Sequence, residues 1–176
     1  MEPNHTPYHA LCSTGTPSFT AKLTEAELRL FSEYAEELLT HPKVQEMQRY
    51  IQHGEVDCLQ HSVAVALLSF WICVRWGLSA DLRSVVRGAL LHDFFLYDWH
   101  EKQERSGLHG LTHPKTALQN ARRFFELNER EENSIARHMW PLTWPPPKYI
   151  EGVVICLADK YCSLWETFFC RKQKKS

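Results

Sequence analysis

Ten histidines in a chain of 176 residues call for a chemical explanation, and four of them fall with two aspartates where a metal ion could use them. His61 lies in the first turns of an apolar helical run, and His92 and Asp93 are adjacent near the end of the next. His113 sits at a helix start, His138 at a helix end, and Asp159 inside the last long apolar stretch. Neutral imidazoles and carboxylates suit Zn, Fe, Mn, Co or Ni, and a carboxylate can bridge two ions. A single histidine on an amphipathic helix is more often a packed or hydrogen-bonded residue than a ligand. Six such residues on or beside separate helices can be gathered in a bundle core, as the inward-facing ligands of bundle metalloproteins are. The plain alternative is a set of buried polar hydrogen bonds, and residue types alone leave both readings open.

Asp159 is the most informative of the six. Its neighbours Val153, Val154, Ile155, Leu157 and Ala158 are apolar, and a carboxylate buried among them costs several kcal/mol unless it is paired or bound to a cation. His92-Asp93 poses the same problem, wedged between Ala89-Leu90-Leu91 and Phe94-Phe95.

The elements that must position these residues read as helices. Thr24 and Glu27 form a capping box ahead of Leu28, Phe31, Ala35 and Leu38, and His41-Pro42 stops that helix. A short amphipathic piece through Val44, Met47 and Ile51 ends near Gly54. A third helix begins around Asp57, carries His61, Val65, Leu68 and Ile72 on one face, and stops at Gly77. Ser79 is the expected cap of a fourth helix reaching about Phe95. After a polar loop, Tyr97 to Thr112, Pro114 suits the first turn of a helix bearing Ala117, Ala121 and Phe124. Glu129 to Met139 and Tyr149 to Phe169 complete the set, separated by the proline-rich loop Trp140 to Lys148. With no alternating β run in view, the expected fold class is all-α, a compact bundle of about six to seven helices. The expected organisation is a loose arm over 1–20, one domain over 21–170 and a basic tail over 171–176.

Composition narrows the function. Hydrophobic residues make up 44% and charged residues 23%, with a net charge of -1, so a core can form without staples and no global field draws the chain to a nucleic-acid duplex or a membrane. The six cysteines contain no C-x-x-C pair and several lie in apolar runs, which reads as buried, reduced thiols. The most apolar stretch, Val63 to Val74, is too short to span a bilayer, and no signal-like segment opens the sequence; the expectation is a cytoplasmic protein. No phosphate-binding glycine loop, G-x-S-x-G elbow or dinucleotide fingerprint is present.

The ordered series His61, His92-Asp93, His113, His138 and Asp159 resembles the signature of the HD superfamily, over roughly Arg49 to Phe169. Arg87-Gly88-Ala89-Leu90-Leu91 matches the apolar lead-in to the His-Asp pair, and Ala158-Asp159-Lys160 the family's ending. The resemblance implies one metal ion held by His61, His92, Asp93 and Asp159. It also implies a second ion where two further histidines are present, here His113 and His138, with Asp93 bridging. Phe94-Phe95 follows the pair instead of Gly-Lys, and no second histidine follows His138, which argues against the cyclic-dinucleotide phosphodiesterase branch. The implied activity is metal-dependent phosphohydrolysis of a small phosphorylated molecule, a phosphate ester or nucleotide, with two divalent ions of unassigned identity (Fe, Mn, Zn, Ni, Co or Mg). Asp93 would double as the residue orienting water, and Lys115 and Arg137 are candidate phosphate contacts, each with the ordinary alternative of a solvated or ion-paired cation. His100 and His109 lie in the loop that could overhang the site, and Trp140 and Trp144 could wall a pocket or simply cover the core. The rival readings are an HD-type di-iron oxygenase acting on a small polar substrate, which uses a similar ligand set, and a metal-binding sensor module without catalysis. The oligomeric state is open.

Overall fold

A computed structural model describes residues 22–53, 55–98 and 109–169; the arm over 1–20, the tail over 171–176 and His100 lie outside them. Seven α-helices and one very small hairpin make up the described residues. Helix α1 (Glu25–Leu39) starts at the Thr24–Glu27 capping box, in which each side chain satisfies a backbone N–H the helix cannot. Pro42 does more than stop it. With its ring fixing φ, it opens the one-turn α2 (Pro42–Gln45), capped by His41, and a 3₁₀ turn follows over Glu46–Arg49.

Ile51 is not helical. It begins β1 (Ile51–His53), which pairs antiparallel with β2 (Val56–Asp57). Strands of three and two residues are too short for a period-two pattern to register, so the hairpin was invisible to periodicity. Asp57 then caps α3 (Cys58–Arg75) through a reciprocal capping box with Gln60. This helix is buried on almost every side, from Leu59 to Phe70, which explains why it is the one described helix long and apolar enough to cross a membrane: it is the central helix of the core.

Gly77 at φ 59° reverses the chain, and α4 (Leu82–Leu91) is capped by Asp81 rather than Ser79. The Asp81 carboxylate accepts from the Arg83 N–H at 3.1 Å and from the Ser84 hydroxyl at 2.6 Å, satisfying groups that Ser79, too early in the turn, cannot reach. The helix ends at Leu91 and not at Phe95, so His92 and Asp93 occupy the turn that follows. Helix α5 (His109–Phe124) begins five residues before Pro114; the proline costs one intrahelical bond inside the helix instead of opening it, and His109 belongs to the helix rather than to a loop. Helices α6 (Glu129–Arg137) and α7 (Ile150–Phe169) lie where periodicity puts them.

Helix α3 packs against α4 and α7, and α6 packs against both α4 and α7. Gly88 sets the closeness of the last contact: a Cβ there would lie 3.2 Å from the Ile155 side chain and 3.3 Å from Ser134 Cβ. A charged clamp reinforces it. The buried Arg87 donates to the buried Glu131 at 2.8 Å, to Glu37 of α1, and to the Glu126 carbonyl at 3.1 Å. Three helices are thereby fixed around the end of α4, where the His-Asp pair emerges.

Candidate metal centre

Two of the histidines are aimed by helix ends. His92 and His138 each follow the last residue of a helix, α4 and α6, where carbonyls lack an intrahelical donor. Each ring turns back to its own helix: His92 Nδ1 lies 2.7 Å from the Ala89 carbonyl and His138 Nδ1 2.9 Å from that of Ile135. A carbonyl only accepts, so both rings donate from Nδ1 and turn Nε2 to the interior. His61 is held the same way by a side chain, its Nδ1 lying 2.8 Å from the carboxylate of Glu166 on α7.

All six residues are buried and meet between α3, α4, α5, α6 and α7. They form two groups, His61–His92–Asp159 and Asp93–His113–His138, each with its potential ligand atoms within 4.8 Å of one another. In the first, Asp159 Oδ1 is 3.2 Å from His61 Nε2 and 3.7 Å from His92 Nε2. In the second, Asp93 Oδ1 is 3.2 Å from His113 Nε2 and 3.6 Å from His138 Nε2, and the two imidazole Nε2 atoms are 2.8 Å apart. Asp93 belongs to both. Its other oxygen, Oδ2, lies 3.4 Å from His92 Nε2 and 3.9 Å from His61 Nε2, so one carboxylate faces both groups, one oxygen to each.

The charges are those of a cation site. Burial disfavours a charged imidazole at His61 and His92, but at His61 the Glu166 charge and a hydrogen bond to Asp159 outweigh it and hold the ring well above the ordinary histidine range. At His92 the charges of Asp93 and Asp159 outweigh burial and raise it to about 10. His138 goes the other way: burial, and the neighbouring His113 and His92, push it down to about 3. Burial alone would raise both aspartates. His92 and His113 instead hold Asp93 well below the usual carboxylate range, and His61 and His92 do the same for Asp159. Three buried carboxyl groups, Asp93, Asp159 and Glu166, thus converge on the site, and at His61 and His92 they favour the protonated ring. His92 Nε2 and Asp93 Oδ1 are nonetheless buried without a hydrogen-bond partner. Orphaned atoms of this kind, one ring nitrogen and one carboxylate oxygen turned to a common interior, are what a divalent cation would satisfy. The residues fit the metal.

Two contributors escaped the sequence reading. Gln52 on β1 donates its side-chain N–H to Asp93 Oδ2 at 2.5 Å, and a glutamine in a three-residue strand carries no signal. Glu166 had one: it lies seven residues after Asp159, on the same face of α7, as a second carboxylate in apolar surroundings. The candidate phosphate contacts are placed differently. Lys115, two residues after His113 on α5, is exposed, and Arg137, beside His138, is half-buried. Trp144 is exposed, as is Trp140 in part. Cys58, Cys73, Cys156 and Cys162 are free and buried.

A family model described as HD domain matches residues 58–164, more than half of the chain and the whole span from His61 to Asp159. Comparison with curated proteins and with solved structures gives no match. Gln52 and Glu166 both lie outside the matched segment.

Proposed function

The chain belongs to the HD-domain family, a superfamily of metal-dependent hydrolases, and from that premise we propose that it is a phosphohydrolase cleaving a small phosphate ester or nucleotide with two divalent ions. The observation that carries the reading is Asp93, whose two oxygens face two separate histidine groups. One group would be His61, His92, Asp159 and Asp93 Oδ2; the other, His113, His138 and Asp93 Oδ1. Bound there, divalent ions would polarise a phosphoryl oxygen and make a water molecule acidic enough to attack.

The chain's own residues supply position and charge. Gln52 pins Asp93 Oδ2 and so fixes the carboxylate that faces both groups, which would orient the attacking water as well as hold the ions. Glu166 and the Ala89 and Ile135 carbonyls fix the orientation of three imidazoles, so little reorganisation accompanies the reaction. Arg137 and Lys115 are proposed phosphate contacts; loss of either by alanine substitution then raises KM more than it lowers kcat. The buried, free cysteines agree with a cytoplasmic protein.

The test is elemental analysis of anaerobically purified protein, followed by a panel of phosphomonoesters, nucleotides and phosphodiesters. Redox-silent divalent ions with turnover of one panel member, abolished in Asp93→Asn while helical content persists, is the expected result. A coupled mixed-valence iron signal together with oxygen consumption replaces hydrolysis by oxygenase chemistry. Absence of metal after reconstitution reduces the protein to a binding module.

A further inference from the structure

Helix α7 is loaded on both faces. Its inner face carries Asp159 and Glu166 into the metal centre, and every acidic residue of the helix is buried. Its outer face carries Ile150, Val153, Leu157, Tyr161, Leu164 and Phe168, all exposed, with Leu157 at 58%, Leu164 at 60% and Phe168 at 72%. Between them stand only neutral or fixed groups. Ser163 and Thr167 are uncharged, and the Lys160 ammonium is turned inward, 3.1 Å from the His138 carbonyl and 3.3 Å from that of Cys156. An apolar helix face is normally covered; among the described residues this one remains exposed.

We propose that the outer face of α7 is the contact surface of a homodimer, formed by packing against the same face of a second copy. Three features favour that occupant. Ile150, Leu157 and Leu164 recur every seven residues, as do Tyr161 and Phe168, which makes the face a seam for another helix. Its six side chains expose on the order of 600 Å² of apolar surface at aromatic and aliphatic areas of their size. That area approaches the roughly 800 Å² per partner of a stable interface, and a two-fold axis lets one self-complementary patch serve both copies. Charge separates this occupant from a lipid surface. A helix lying on an anionic membrane carries lysines and arginines along the borders of its apolar face, whereas within α7 the one basic residue, Lys160, is otherwise engaged, and Arg171, Lys172, Lys174 and Lys175 follow the helix in sequence instead of alternating with the apolar face.

Sedimentation equilibrium of the full chain with its metal, at micromolar concentration, tests this. The expected mass is twice 20.6 kDa. The double variant Leu157→Glu/Leu164→Glu should sediment as a monomer, with helical circular dichroism and metal content unchanged, since both side chains point away from the ligands. A Leu157→Met/Leu164→Met control keeps the apolar volume and should remain dimeric. A monomeric parent protein overturns the proposal, and binding of that monomer to phosphatidylserine vesicles, lost in the double Glu variant, would assign the face to lipid instead. A dimer that survives the double Glu substitution overturns it as well.

Discussion

Glu166→Gln isolates the contribution of a residue that touches no metal-binding atom. Glu166 is completely buried, and its Oε2 lies 2.8 Å from His61 Nδ1. The substitution keeps the volume and a hydrogen-bond acceptor but removes the charge that polarises the ring. A charge-assisted hydrogen bond is worth about twice a neutral one, and loss of such outer partners of a ligating histidine weakens metal binding roughly ten- to hundred-fold, or about 1.4 to 2.7 kcal/mol. The effect should fall on one half of the centre. His61 belongs with His92 and Asp159, while His113 and His138 lie across Asp93, so the ion at the first group weakens and the other is affected only through the shared carboxylate. Competition against a chromophoric chelator, run with Co or Mn at fixed pH, gives the two dissociation constants directly. Two affinities within a factor of two of the parent, in a variant whose thermal unfolding is unchanged, would refute the assignment of Glu166 as the residue that orients and charges His61. Equal weakening at both ions would refute the division into two halves.

Other expected outcomes follow from the same geometry. His113→Ala should lose one ion per chain and retain the His61–His92–Asp159 group, read by elemental analysis; two ions retained would end the two-ion assignment. Metal uptake should release protons, because His61 is held above its ordinary range and His92 lies at about 10 in the metal-free protein. A raised pKa keeps each ring protonated through neutral pH, so affinity rises with pH up to about 10 and falls on acidification; calorimetry in two buffers of different ionisation enthalpy measures the release, and identical heats would contradict it. Arg87→Met strands the buried Glu131 carboxylate, 2.8 Å from the lost guanidinium, and should cost about 3 to 5 kcal/mol in urea unfolding. A loss below about 1 kcal/mol would show that the clamp at the end of α4 is dispensable.

How much of this was legible in the sequence differs from element to element, for physical reasons. Long amphipathic helices such as α1, α6 and α7 are written in periodicity because one face must be apolar, and their caps are local chemistry readable within four residues. Short elements are not: the hairpin at Ile51–His53 is too brief to show a period, and Pro114 inside α5 is tolerated by a context its neighbours do not reveal. Asp81 displaced Ser79 as a cap because the actual helix start is set by which carboxylate can reach the free N–H groups.

The chemistry divides along the same line. Residue type and order alone determined that His61, His92, Asp93, His113, His138 and Asp159 are candidate ligands, since polar groups placed in apolar helices must find partners or a cation. Tertiary structure alone decided that they converge as two groups sharing Asp93, and that Gln52 and Glu166 support them from outside the family's span. Distances between helices depend on packing, on contacts such as Gly88 against Ser134 and Ile155, and these are set by residues far apart in the chain. Spacing along one helix tells which residues share a face; only the fold determines what that face meets.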